Sequence, residues 1–302
     1  MSSTSSPYAE WARRTERGSM PLLRFMVWAS LLLGRAPARI LLRLIAAYFL
    51  AFSRPARRAS RRFLERCLGR APSLAEQYRL FFSFASVVHD RIFFLRGRFD
   101  LFEITQQGAE LIEASGTLLM GAHLGSFEVL RSCGRRMGRR RVVMAMYEEN
   151  ARKISSVLAA IDPSAVQDIV ALGRVQSMLE LSACLDEGAV VGVLADRTFG
   201  NEPVMKVPVL GHCASFPTGP MRMAAALRQR VVFMTGLYRG GNRYEIRFEP
   251  LADFSNLEGL THGERDQRVQ EAVARYAHRL ESFARDAPDN WFNFHEFWGR
   301  AP

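Results

Sequence analysis

The 302-residue sequence predicts an α/β fold, a mixed and mainly parallel sheet flanked by helices, with a separate helical region ahead of it. Three observations carry that expectation. From residue 100 onward, short apolar runs alternate with amphipathic segments of helical length, the pattern of βα units. Before residue 100, two apolar stretches stand beside a run of arginines. The charge is also divided along the chain. Residues 1–100 hold 18 Arg, no Lys and 6 acidic residues, whereas the rest holds 23 basic and 24 acidic ones, so the net charge of +11 comes from the first third. The expected division is therefore a basic, apolar helical region at 1–99 and an α/β domain at 100–302. Apolar residues make up 48% and charged residues 24%, ordinary for a globular chain. Only the polar start, Ser2 to Ser6, reads as disordered.

Taken in order, residues 8–19 form a polar segment with Trp11, Arg13, Arg14 and Arg17. The apolar stretches 21–33 and 40–52 follow, each of 13 residues with one arginine. A membrane-spanning helix needs about 20 apolar residues, and Gly34-Arg35-Ala36-Pro37 breaks the two apart. They read as a helical hairpin lying in one leaflet, with arginines reaching up to the headgroups. Packing of both as soluble core is the alternative. The stripe Arg54, Arg57, Arg58, Arg61, Arg62 and Arg66 beside them favours an anionic membrane surface or an acidic protein partner. Nucleic acid is the rival partner, and the chain has no zinc-finger spacing, RNP-like motif or basic zipper to support it. Residues 73–98 read as a helix with an aromatic stripe of Tyr78, Phe81, Phe82, Phe84, Phe93 and Phe94, which fits core packing; His89 within it reads as structural.

Strands are expected at 117–121, 142–146, 167–171, 189–195, 231–237 and 244–249. Helices are expected at 151–160, 174–187, 218–229 and 264–286. The last two strands are candidates for an antiparallel pair, because only Arg239-Gly240-Gly241-Asn242 separates them. Cys67, Cys133, Cys184 and Cys213 form no CxxC pair and read as thiols in a reducing compartment. No secretory signal is expected from the polar start.

The chemistry centres on Gly121-Ala122-His123-Leu124-Gly125-Ser126-Phe127-Glu128. The apolar run 116–120 before it fits a buried strand, and the residues after it can continue as a helix. That places His123 where a strand ends, the crevice in which open α/β sheets collect ligands. Glu128, in the first helical turn, could accept the Nδ1 proton and leave Nε2 as a base. The same spacing also fits a capping histidine and an exposed helix glutamate.

His123-Leu124-Gly125-Ser126-Phe127-Glu128 resembles the H-x4-D/E motif of the lysophospholipid acyltransferase superfamily, and more closely its bacterial lipid A secondary (lauroyl and myristoyl) acyltransferase branch. The resemblance continues through Ala195-Asp196-Arg197, Val207-Pro208-Val209-Leu210-Gly211 and Phe216-Pro217-Thr218-Gly219-Pro220-Met221-Arg222. It ends near Trp291 and covers roughly residues 100–300. It implies a glycerolphosphate-acyltransferase-like fold. It also implies that His123 deprotonates an acceptor hydroxyl, that Glu128 orients it, and that the hydroxyl attacks an acyl thioester. The implied donor is acyl carrier protein or acyl-CoA. The implied acceptor is a membrane lipid, lipid A precursor-like, met at the cytoplasmic face of a bacterial inner membrane by a monotopic or peripheral protein. No cofactor and no metal are implied. The aromatic stripe of 73–98 could then line an acyl tunnel.

Other residues qualify as substrate contacts. Arg174, after Leu172-Gly173, can present its planar fork to a phosphate or carboxylate, or be a surface arginine. Asp196 and Arg197 follow a buried strand and should face the cleft. Arg197, where the family carries an amide, could bind a phosphate or pair with Asp196. Thr218, Gly219 and Arg222 lie in the block resembling F-P-E-G-T-R: Gly219 lets backbone approach a ligand, Arg222 could hold an anion, and Thr218 could instead cap the next helix. Tyr147 stands where the family has Tyr-Arg, but Glu148 follows it. The departures at Glu148 and Arg197, with the interrupted N-terminal apolar region, leave a lipid-linked pigment or polyene open as acceptor; a non-catalytic membrane-surface lipid-binding protein is the rival class, and hydrolysis by the same His–Glu pair the rival reaction. There is no G-x-S-x-G, S-x-x-K, H-E-x-x-H, Walker loop or G-x-G-x-x-G. His123, Glu128, Asp196 and His212 could in principle gather around a metal, though their spacing does not ask for one.

Overall fold

A computed structural model describes residues 20–112, 117–130, 140–147, 159, 161, 168–198 and 202–298. The segment 8–19, the loop Glu148 to Asn150, most of the expected helix 151–160, Cys133 and Phe199-Gly200 fall outside them.

Four helices open the described chain: α1 (Met20–Leu33), α2 (Arg35–Phe52), α3 (Arg54–Leu68) and α4 (Leu74–Leu95). Gly34, at φ 82°, turns the chain between α1 and α2, as the Gly-Arg-Ala-Pro link leads one to expect. The arginine stripe, which in the sequence only flanks the apolar pair, forms a helix of its own. In α3, Ala59, Ser60, Phe63, Leu64 and Cys67 recur at helical spacing and are buried. Arg54, Arg57, Arg58, Arg61 and Arg62 keep to the exposed side. Gly69, in the left-handed conformation, ends α3. A Ser73–Glu76 capping box starts α4.

The main sheet has seven strands: β1 (Glu103–Gln107), β2 (Thr117–Gly121), β3 (Val142–Tyr147), β4 (Ile169–Leu172), β5 (Val190–Leu194), β8 (Arg230–Tyr238) and β9 (Arg243–Asp253), ordered β1-β9-β8-β2-β5-β3-β4. Every neighbouring pair is parallel except β8 with β9, which are antiparallel across the Gly240-Gly241 turn. β6 (Val204–Val209) and β7 (His212–Pro217) form a separate hairpin. Helices α5 (Val175–Asp186), α6 (Gly219–Ala226) and α7 (His262–Asp286) complete the described chain. The six expected strands are present with ends shifted by a few residues. β1, β6 and β7 were not expected. β1 reads Glu-Ile-Thr-Gln-Gln and is half exposed, so it gives no apolar run.

One hydrophobic core joins Val27, Phe63, Leu80 and Phe94 of the early helices to the sheet residues Leu118, Val191, Phe233 and Ile246. A buried polar tie fastens α2 to the same body. Arg35 grips the fully buried Asp90 of α4 through two nitrogens at 2.7 Å each, and Tyr244 of β9 donates its hydroxyl to Asp90 at 2.8 Å. Burial works against the Asp90 charge, but these donors together with His89 hold its carboxyl below the usual carboxylate range. The parallel strands β2, β5, β3 and β4 all end on the same edge of the sheet. His123, Asp196, Tyr147 and Arg174 lie at or just beyond those ends.

Candidate active site

β2 is buried along its whole length, and Tyr276 of α7 donates its hydroxyl to the Gly121 carbonyl at 2.8 Å. β5 runs beside β2 in the register Gly121↔Leu194. Two residues beyond each of those positions stand His123 and Asp196. Nδ1 of His123 lies 2.8 Å from Oδ1 of Asp196, and the His123 backbone N–H donates to Oδ2 at 3.1 Å. Asp196 is 2% exposed while 31% of the His123 side chain is open. With Nδ1 committed to a carboxylate, the ring carries its proton there and Nε2 keeps its lone pair.

The expected Nδ1 partner was Glu128, and this expectation is corrected by the geometry. Glu128, 3% exposed, is paired instead with Arg91 of α4, Nε to Oε1 at 2.8 Å. The reason lies in the backbone. The chain does not turn helical straight after His123; it runs extended, and Leu124 and Gly125 make isolated bridges to Trp291 and Gly236. Gly125 has φ 70°, and a Cβ there would lie 2.1 Å from the Gly236 carbonyl oxygen. Close approach of two backbones thus fixes an extended path, and helical conformation begins only at Leu130.

A strap near the C-terminus braces the pair. Phe292 N–H donates to the His123 carbonyl at 3.0 Å, and Gly125 N–H donates to the Asn290 carbonyl at 2.9 Å. The Trp291 indole N–H reaches Asp196 Oδ2 at 3.1 Å. Arg197, half-buried, donates through Nη2 to the Phe292 carbonyl at 3.2 Å.

The electrostatics follow from this crowding. Burial and the Arg197 guanidinium push the His123 titration below its ordinary value, outweighing the pull of Asp196. Burial works against the Asp196 charge, but His123, Arg197 and the Trp291 N–H hold its carboxyl well below the usual carboxylate range. His295, half-buried on the same strap, is pushed down to about 3 by burial and then by Arg197. Both imidazoles are therefore neutral at pH 7, and Asp196 is ionised.

The remaining expected site residues divide. Thr218 occupies the N-cap of α6 but in a helical conformation, so its hydroxyl makes no cap and donates to the Pro203 carbonyl at 3.3 Å. Gly219 lies beside a Tyr147–Glu202 hydrogen bond of 2.6 Å: a Cβ on Gly219 would stand 3.5 Å from the Tyr147 hydroxyl. Arg222 is engaged by Asp266 of α7 at 2.5 Å on an exposed face. Arg174 is exposed at the N-cap of α5. Among the described residues no three of His, Cys, Asp and Glu gather as a metal site, so His123, Glu128, Asp196 and His212 do not converge. Arg91, Glu202, Asn290, Trp291 and His295 were not expected. Of these only Trp291 carried a signal, as the end of the resemblance.

A partly open imidazole with a fixed tautomer at the end of a parallel strand, oriented by an ionised carboxylate, is equipped to take a proton from a hydroxyl. No curated protein sequence matches the chain. The model of the bacterial lipid A biosynthesis acyltransferase family matches residues 13–300, nearly the whole chain; the protein is an acyltransferase and belongs to that family.

Proposed function

We propose that the protein moves a fatty acyl group from a thioester donor, acyl carrier protein or coenzyme A, to a hydroxyl of a membrane lipid of the lipid A precursor kind. The observation that carries the reading is the 2.8 Å contact between His123 Nδ1 and Asp196 Oδ1. In this scheme Nε2 of His123 removes the acceptor hydroxyl proton as the oxygen attacks the thioester carbonyl. Asp196 stabilises the imidazolium so formed. The tetrahedral intermediate collapses, the C–S bond breaks, and the proton passes from His123 to the leaving thiolate. An ester and a free thiol result, with no covalent enzyme intermediate. Arg197 and its neighbour His295 set the charge around the reacting atoms. Glu128 acts from further back, holding α4 to the His123 segment through Arg91.

The acceptor meets the site from a bilayer surface in this reading. No single described helix is long and apolar enough to cross a membrane; α2 and α3 qualify by length and composition only as a pair bent by 93°. What supports surface attachment is the exposed apolar face of α1 and α2, with Trp28, Leu32, Leu33, Ile40, Leu41 and Leu44 turned outward, next to the arginine face of α3.

The test is acyl transfer by the full chain in lipid micelles, following free thiol and acylated lipid together. His123→Ala should lower both by a factor of 10³ or more (on the order of a lost general base and its partner) while the circular dichroism spectrum is kept. A folded alanine variant with near-parental turnover would defeat the mechanism. Thiol release without acylated lipid in the parent protein would point to hydrolysis instead.

A further inference from the structure

We propose that Trp291 is a positioning residue for the reaction, acting through its indole N–H on the carboxylate of Asp196; the inference rests on the reading of His123 as the base. Asp196 Oδ2 accepts two hydrogen bonds, from the His123 backbone N–H and from Trp291 Nε1, each at 3.1 Å. With that oxygen held from two sides, Oδ1 faces the imidazole at 2.8 Å. An indole N–H only donates. It can favour the ionised carboxylate but can never take the acceptor role that a protonated Asp196 would need.

The indole itself is fixed. Trp291 is 1% exposed. Its ring stands edge-on to Phe63 at 5.2 Å and to Phe297 at 4.8 Å. Its backbone pairs with Leu124, and the next residue holds the His123 carbonyl. One strap therefore sets the backbone of the base and the rotamer of its partner together. The donation also draws charge away from the carboxylate and weakens its pull on the ring, which helps keep the imidazole neutral. Removing the N–H alone should free the carboxylate to rotate and strengthen its hold on an imidazolium.

The experiment replaces Trp291 in the full chain with 3-benzothienylalanine, which keeps the bicyclic shape and lacks the N–H. His123 is titrated by NMR with labelled histidine, its signal assigned by its absence in His123→Gln. Acyl transfer kinetics are measured in parallel. The expected result is a His123 titration moved upward by about half a unit and a kcat lowered about tenfold at unchanged KM, the scale of a lost hydrogen bond that orients a functional group. Phe297→Leu disturbs the same ring cluster without touching Asp196 and should leave the titration where it is in the parent. A folded benzothienyl variant with unmoved titration and kcat within about twofold of the parent overturns the inference. An equal shift in Phe297→Leu overturns it too, because packing alone would then account for the effect. A titration shifted in the benzothienyl variant, with a parent protein that transfers no acyl group, supports the hold of Trp291 on Asp196 and sinks the reading of His123 as the base.

Discussion

His123 touches one carboxylate through its ring, while the carboxylate five residues along its own segment is taken by an arginine from α4. The two should therefore fail differently. Asp196→Asn can present an amide N–H to Nδ1, which forces the ring proton onto Nε2 and removes the base. The expected loss in kcat is about 10³–10⁴ in a variant that still folds. Glu128→Gln leaves Arg91, whose side chain is 27% exposed, without its counter-charge. The expected cost is about 1–3 kcal/mol in unfolding free energy, with kcat within about tenfold of the parent. Urea unfolding and transfer kinetics on both variants decide it; if Glu128→Gln loses activity as deeply as Asp196→Asn while staying folded, the orienting carboxylate is Glu128. His123 and Asp196 could each be picked out of the sequence, because each follows a buried apolar strand. Their pairing could not. It depends on the register Gly121↔Leu194 across 73 residues of chain, and spacing within a motif carries no information about register. Trp291 and His295 left even less trace, since their roles come from a strap that folds back from the end of the chain.

Helices and buried strands announced themselves through apolar period and run length. The elements that went unseen were the ones whose burial is partial. β1 is polar at most of its positions, and β6 and β7 pair only with each other, with exposed ends such as Val204 and His212. α3 was hidden by its arginines, since its apolar positions show only when every fourth residue is followed. Where period was strong, the reading also foresaw exposure: α1 and α2 carry more apolar surface than the fold covers. Leu41 is 55% exposed and Leu44 66% exposed, and both lie on the side of α2 opposite the buried Leu42, Ala46 and Leu50. If that face rests in a leaflet, Leu41→Asp with Leu44→Asp should weaken binding to phosphatidylglycerol vesicles by about 10²–10⁴-fold, from roughly 1.5–3 kcal/mol per leucine withdrawn from lipid. Soluble-phase stability should hardly change, because neither side chain packs in the core. Flotation of the double variant with the parent's affinity would remove α2 from the membrane contact. Arg57→Glu with Arg58→Glu should instead weaken binding at low salt and flatten its further loss as salt rises, because the headgroup attraction that salt screens within a Debye length of about 8–10 Å is already removed.

At the scale of the whole molecule, the site ties catalysis to acid tolerance. Two of the six histidines, His123 and His295, are held neutral by burial and by the guanidinium of Arg197, with Arg91 adding to it at His123. Their titrations lie lower in the folded state than in the unfolded chain, whose value is about 6.5. Above that value neither state binds the proton and stability is level. Below it the unfolded chain binds protons that the folded one refuses, and each such group costs about 1.4 kcal/mol per pH unit until its folded titration is reached. For His295 that window runs from about 6.5 down to about 3. Asp196 adds nothing within it. Its stabilisation is present above the unfolded carboxylate value of about 3.9 and is lost only as pH falls further, through its lowered folded titration. Unfolding free energy should thus be flat from pH 7.5 to 6.5 and fall by about 1.4–2.7 kcal/mol by pH 5.5 for one to two groups. Urea titrations at those three pH values measure it. His295→Gln removes one titrating group without adding charge, so its slope below pH 6.5 should be shallower than the parent's by about 1.4 kcal/mol per unit. An unchanged slope would mean that His295 accepts its proton in the folded protein beside Arg197. In that case the charge around His123 at neutral pH would not be set by two uncharged rings.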